Sequence, residues 1–231
     1  MSILPRRIDV SLARARGLAL RPFRRPLEAA IVRSFHRLYY ASRTWSNTYW
    51  LGTQTQKCPL DLWIYQEILH ELKPAVIVET GTASGGSALF LASVCNLLGR
   101  GKVVSVDVVE RERPEHDRVT YVTGSSTAPD VVAGVADLVG NAAPVLVILD
   151  SDHTRDHVLE ELRLYAPLVT PGSYLIVEDT NVNGHPVRPE FGPGPMEAVD
   201  GFLRESPEFA LDREREKFLL TFNPRGFLRK R

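Results

Sequence analysis

The sequence predicts a doubly wound α/β domain, and three observations carry that reading. Short β-branched apolar runs, such as Ala75–Val78, Val119–Thr123 and Tyr174–Val177, alternate with stretches of helical periodicity. The runs end in polar residues: Glu79, Asp107, Ser125, Asp150 and the pair Glu178-Asp179. The first run leads into a glycine-rich turn, Gly81-Thr82-Ala83-Ser84-Gly85-Gly86-Ser87, and then into an apolar periodic stretch from Ala88 to Leu98. Strand, tight turn and helix form the opening unit of a Rossmann-like sheet, in which ligands bind outside the carboxyl ends of the strands. Five alternating strands and a terminal pair give a seven-stranded sheet, mostly parallel, with the last strand antiparallel.

At 231 residues the chain fits one such domain with an N-terminal extension. Residues 1–45 hold ten arginines against two acids, Asp9 and Glu28, while the whole chain is neutral. They are expected to form a basic arm, and residues 46–231 the folded domain. The arm suits four roles: a solvated segment packed on its own domain, a contact to a second subunit in a homo-oligomer, a peripheral contact to an anionic membrane surface, or a contact to an anionic substrate. Zero net charge gives no case for a nucleic-acid partner. Cys58 and Cys95 read as free buried thiols of a reducing compartment. No run of 18 apolar residues and no apolar leader stretch are present, so a cytoplasmic protein without a transmembrane segment is expected.

In chain order, a helix is expected from about Leu27 to Tyr40, with Ile31, Phe35 and Leu38 roughly on one face. Residues 45–58 are aromatic and polar, and read either as a loop over a pocket mouth or, at Tyr49 and Trp50, as a satellite of the core. Pro59 starts an amphipathic helix to about Leu72, aligned on Leu60, Ile64, Ile68 and Leu72. After the glycine turn and its helix, Lys102–Val106 is the second strand. Residues 129–140 form a helix, and Ala143–Leu149 is the fourth strand. A polar knot, Asp150-Ser151-Asp152-His153-Thr154-Arg155-Asp156-His157, precedes a helix to about Leu168. Thr180–Pro195 is a loop of about sixteen residues, long enough to suggest function. A helix over Met196–Glu205 follows. Phe209–Leu211 and Lys217–Phe222 read as the closing antiparallel pair, ahead of a basic tail.

The turn G-x-x-x-G-G lacks the dinucleotide spacing G-x-G-x-x-G. An acid two residues before its first glycine fits S-adenosylmethionine (SAM), whose carboxylate and ribose the turn would wrap. Asp107, 21 residues past Gly86, suits a ribose hydroxyl pair, and Ser125 would lie beside the adenine. Glu79, Gly81, Gly85, Ser87, Asp107 and Ser125 are therefore the candidate cofactor residues. Asp150, Glu178 and Asp179 fall at the ends of strands expected to be neighbours. Three unpaired carboxylates repel one another and need a cation, and hard oxygen ligands suit Mg²⁺. Asp152 is the alternative to Asp150 as first ligand. His153, one turn beyond Asp150, suits a general base. A cation that acidifies a hydroxyl, a base beside it and an activated methyl group together make a methyl ether.

Several blocks carry a resemblance: Trp50-Leu51-Gly52, Gln56-Lys57-Cys58-Pro59-Leu60-Asp61, Val78-Glu79-Thr80-Gly81-Thr82, Leu149-Asp150-Ser151-Asp152-His153, Val177-Glu178-Asp179-Thr180 and Asn223-Pro224-Arg225-Gly226. In order and spacing they resemble the cephalosporin hydroxylase / rhamnosyl O-methyltransferase family over roughly residues 45–228. That resemblance implies a class I SAM-dependent fold and Mg²⁺ held by an aspartate and a Glu-Asp pair. The step from Asp150 to His153 is also similar to that of metal-dependent sugar O-methyltransferases acting on macrolides, in which the histidine is the base. The expected activity is a Mg²⁺- and SAM-dependent O-methyltransferase acting on a sugar or polyol hydroxyl of a glycolipid, polysaccharide or natural product. A hydroxylase or oxygenase component and a non-catalytic SAM-binding subunit are the alternatives.

Overall fold

The computed structural model describes residues 21–231 of the chain. The part of the basic arm over residues 1–20 lies outside the described residues. In chain order the elements are α1 (Arg21–Ala41), a 3-10 turn (Thr44–Asn47), β1 (Tyr49–Trp50), β2 (Thr53–Gln54), α2 (Pro59–Leu72), β3 (Val76–Thr80), α3 (Gly86–Leu98), β4 (Lys102–Asp107), β5 (Val119–Thr123), α4 (Pro129–Val139), β6 (Val145–Leu149), α5 (Arg155–Tyr165), β7 (Tyr174–Val177), α6 (Pro195–Glu205), β8 (Phe209–Leu211) and β9 (Phe227–Lys230).

Among the described residues, seven strands form one sheet in the order β5-β4-β3-β6-β7-β9-β8. β3 sits at the centre, parallel to β4 and β6, with Val78 opposite Val104 on one side and Val147 on the other. β9 runs antiparallel to both β7 and β8, so it alone opposes the rest. Side chains alternate between the two faces of a strand. Val76 and Val78 pack with Val135 of α4, Leu162 of α5 and Phe202 of α6. Ile77 faces the other way, with Ile68 of α2 and Leu91 of α3. Burial on both faces explains why the central strands read as unbroken apolar runs.

The last strand differs from expectation. Phe227–Lys230 pairs in the sheet, whereas Lys217–Phe222 does not. The longer apolar run looked the stronger strand, but Leu220 and Phe222 are buried beneath the N-terminal helix instead. Phe227 and Leu228 fill the sheet position, and the basic residues after them serve as caps. Lys230 Nζ donates to the carbonyls of Ala166 and Val169, at 3.1 and 2.9 Å. A second difference lies at residues 49–54, which form a hairpin rather than a loop. Its two corner residues, Leu51 and Gly52, both have positive φ (47° and 86°), as a tight two-residue turn requires. Trp50 is the core satellite, donating from its indole to Ser93 Oγ at 3.0 Å, while Tyr49 is exposed.

Helix α1 begins at Arg21, ahead of Pro26 and more than a turn earlier than expected. It docks through aromatic contacts on Phe222. His36 stacks on that ring with 5.6 Å between centroids and 5° between planes, and Tyr40 and Trp45 approach within 5.5 and 5.9 Å. Asn181 Nδ2 lies 3.0 Å from His36 Nε2, and Arg37 Nε donates to Pro186 O at 3.1 Å. The long loop after β7 is thus buckled to the helix.

Burial lowers His36 from 6.5 to about 4. A histidine whose folded-state pKa is depressed adds stability that is full above its unfolded value and is lost as pH falls toward the folded one. Between pH 7.5 and 4.5 the melting temperature of wild type should therefore fall by roughly 5 °C relative to His36→Phe, which keeps the stack without the titration. A difference between the two melting curves that does not vary with pH would show that His36 does not hold the helix in this way.

Candidate functional site

The glycine turn crosses the tip of β6. Gly81 has φ +87°, and a Cβ there would lie 1.9 Å from the Asp150 carbonyl oxygen. Any side chain would push the ends of β3 and β6 apart. Gly85, at φ +83°, opens helix α3. Asp107 ties the next strand to the same turn: Oδ2 accepts from Ala83 N at 2.7 Å and Oδ1 from Val109 N at 2.8 Å. Glu79 lies inside β3 and is fully buried beneath the turn, deeper than a rim residue. Ser105 Oγ donates to its Oε2 at 2.7 Å, while Oε1 is buried without a partner. Burial raises its pKa, against Lys57 and hydrogen bonds from Ser87 and Ser105. Ser87 is buried with it, and Ser125 closes a turn onto Thr127.

Two cavities meet at this turn. One, of about 340 Å³, is lined by Ser125, Ser126, Asp152 and His157; the other, of about 350 Å³, by Lys57, Ser87, Asp150, His153 and Asp179. Gly81, Asp107 and Ser151 line both. The shape suits an elongated ligand with its polar middle on Asp107 and the turn.

Asp150, His153 and Asp179 bring one ligand atom each to within 4.8 Å of one another. Octahedral Mg²⁺ with ligands at about 2.1 Å needs its donors roughly 3.0 to 4.2 Å apart, so a small closure suffices. His153 Nε2 lies 3.3 Å from Asp179 Oδ2. Asp179 holds a left-handed backbone, φ +52°, fixed by its N–H donating to Asn223 Oδ1 at 3.2 Å. Asp152 is not in the group; its Oδ1 accepts from Thr154 N at 2.7 Å, a helix-entry contact. Glu178 is not in the group either. Its Oε1 accepts from Lys57 Nζ at 2.6 Å and from Tyr65 OH at 2.9 Å.

Lys57 also contacts Asp150. Burial works against its charge, but Asp150 and Glu178 outweigh burial and hold the ammonium above the usual lysine range. Burial and the neighbouring Asp150 push Glu178 up to about 7 despite Lys57. Burial also raises Asp150 and Asp179. For His153, burial is outweighed by Asp179 and Asp150, and its pKa rises. Burial is the first cause of the raised carboxylates, and repulsion among the acids adds to it. With all three carboxylates ionised against Lys57, two negative charges would remain, which one divalent cation would neutralise. The donor set and the charge both fit Mg²⁺.

Sequence reasoning missed Lys57, Tyr65 and Asn223 as parts of this rim. Lys57 precedes its helix with no charge pattern to mark it. Tyr65 lies on the buried face of α2. Asn223 is fully buried, donating from Nδ2 to Tyr65 OH at 2.9 Å while it fixes Asp179. Lys57 and Asn223 stand within the quoted sequence blocks, and that was their one signal; Tyr65 lies outside them. The polar knot also builds a second cluster: Ser126 Oγ and Ser151 Oγ each lie 3.1 Å from His157 Nε2, and Ser151 donates to buried Glu161 at 2.7 Å.

The family described as Rhamnosyl O-methyltransferase/CmcI matches residues 42–231. The chain is 42% identical over 222 residues to a "Rhamnosyl O-methyltransferase" of Mycobacterium bovis (strain BCG / Pasteur 1173P2), covering 92% of this chain and 89% of the relative. Its counterpart in Mycobacterium leprae is 42% identical over 212 residues, covering 88% and 92%. A solved structure entitled "cmcI-D160 Mg-SAM" superposes with TM-score 0.65 at 20% identity, over 80% of this chain and 77% of that one, and so shares the fold. The chain belongs to the Rhamnosyl O-methyltransferase/CmcI family of class I SAM-dependent methyltransferases.

Proposed function

We propose that this SAM-dependent O-methyltransferase acts on a sugar hydroxyl, of rhamnose type, carried by a glycolipid, polysaccharide or glycosylated natural product. The observation that carries the reading is the meeting of Asp150, His153 and Asp179 in the wall of the cavity that the glycine turn also lines. The relatives at 42% identity, by name rhamnosyl O-methyltransferases, support the acceptor class.

When bound, SAM supplies a methyl group activated by its sulfonium charge, and Mg²⁺ makes a neighbouring hydroxyl more acidic. Gly81 and Gly85 let the turn approach the amino-acid end of the cofactor. Asp107 receives the ribose hydroxyls on the lone pairs its backbone donors leave open. Ser125 borders the adenine chamber, and Glu79 and Ser87 brace the turn from below. Asp150 and Asp179 hold the cation. Glu178 adds its charge from behind them, locked by Lys57 and Tyr65. His153 takes the hydroxyl proton, its ring held beside the cation group by Asp179. Tyr40 and Trp45, stacked at 5.4 Å, line the same cavity and offer flat faces to the C–H side of a sugar ring. Arg188, from the long loop, reaches that wall too.

Titrating Mg²⁺ and SAM into the protein by calorimetry tests the assignment. Wild type should bind SAM at micromolar level and show a Mg²⁺ heat that Asp150→Asn abolishes and Asp152→Asn keeps. A heat that survives Asp150→Asn but not Asp152→Asn transfers the ligand role, and no SAM binding under any condition ends the proposal. With a rhamnosyl glycoside as acceptor, His153→Ala should lose ~10²–10⁴-fold in kcat while both binding heats persist. An unchanged kcat would remove His153 as the base.

Lys57→Met leaves Asp150 and Glu178 without their buried cation. In EDTA the variant should be less stable by about 3–5 kcal/mol, and Mg²⁺ should raise its melting temperature more than that of wild type. Equal Mg²⁺ shifts in the two proteins would show that Lys57 does not share charge balance with the cation.

A further inference from the structure

Helix α1 docks by one side and leaves an apolar row on the other. His36 is buried against Phe222, whereas Leu27, Ile31, Phe35 and Leu38 are 62, 59, 54 and 68% exposed. At 3.6 residues per turn these four fall within about 80° of arc, on the far side from His36. Such a row has no place on a helix that only straps the domain, since burying one of these side chains fully is worth about 1.5–3 kcal/mol. The same helix carries five arginines, Arg21, Arg24, Arg25, Arg33 and Arg37, and one acid, Glu28. An apolar row within a strongly basic helix is the pattern of a segment that lies in the interface of an anionic bilayer. The four side chains expose roughly 500 Å², short of the ~800 Å² per partner that a stable protein interface buries, so a second copy of this chain is the weaker occupant.

We propose that α1 is an in-plane membrane-binding helix: Leu27, Ile31, Phe35 and Leu38 enter the headgroup–acyl boundary of an anionic bilayer, and the helix's excess of arginines over acids draws it to that surface. Tyr40, at the end of the same helix, lines the cavity with Asp150 and Asp179, and Arg37 holds the long loop at Pro186. The bilayer surface would therefore lie one helix diameter, ~10 Å, from the wall of the site. An acceptor sugar on a lipid anchor would reach it without leaving the membrane; that consequence rests on the sugar-acceptor reading, and the surface binding does not.

The test is co-sedimentation of the full chain, without SAM or acceptor, on sucrose-loaded vesicles. One set is phosphatidylcholine alone; the other carries about one-third phosphatidylglycerol. Wild type should partition at least ~10-fold more onto the anionic vesicles, less so as salt is raised, and the double variant Ile31→Glu/Phe35→Glu should lose ~10-fold or more of that binding. Both substitutions lie on exposed positions, and an unchanged SAM-binding heat in the variant shows that the domain is intact. Equal partition onto the two vesicle sets, or binding that the double variant retains, overturns the proposal. So does sedimentation velocity showing a wild-type dimer that the variant dissociates, with no vesicle binding; that outcome gives the row to a second copy. None of these outcomes depends on methyl transfer, so the failure of either reading is distinct from the failure of the other.

Discussion

The balance of buried charge at the strand ends governs the rest of this structure. Asp150, Glu178 and Asp179 come together because β6 and β7 are parallel neighbours that end level with each other. An unpaired buried carboxylate is costly, so the surroundings are organised to neutralise three of them. Lys57 comes from the segment ahead of α2, Tyr65 from α2 itself, and Asn223 from the stretch before β9. Each enters from a different part of the chain. Tyr65 also packs in the core against Phe227, but the polar ends of all three fix where the negative charge sits.

That arrangement also explains why the rim has two functional levels. Glu178 and Glu79 are buried deep and bonded to the scaffold, while Asp150, His153 and Asp179 face the cavity. Gly81 is the hinge between the levels: its missing side chain lets the cofactor turn lie against the Asp150 carbonyl. The turn and the cation group are therefore a single mechanical unit rather than two sites that happen to be close.

Much of this was legible in the sequence, and the limits are physical. The five parallel strands and their helices announce themselves because burial on both faces leaves unbroken apolar runs. The strand-end residues followed from that, and so did the placement of Asp107, Asp150, His153 and Asp179. The closing strand was misread because Phe227-Leu228 is too short to compete, by pattern alone, with Phe218–Phe222. The hairpin at Leu51-Gly52 was missed because a leucine at positive φ leaves no signature. Glu178 lies behind the cavity group rather than in it, and its partners were invisible: nothing in composition or periodicity says that a lysine 121 residues away will sit at 2.6 Å. Pairings across the sheet's connections are the information that one-dimensional patterns lack.

The clasp between His36 and Asn181 has a thermodynamic consequence of its own. Asn181 stands two residues after Asp179, and the backbone N–H of Asn181 donates to the Phe222 carbonyl beneath α1. The helix and the cation group therefore share one short piece of backbone. Linkage makes such sharing reciprocal: if a docked helix tightens the cation tenfold, the cation tightens the docked helix tenfold. Under such a coupling, occupancy at Asp150 and Asp179 and docking of α1 would be two readings of one equilibrium.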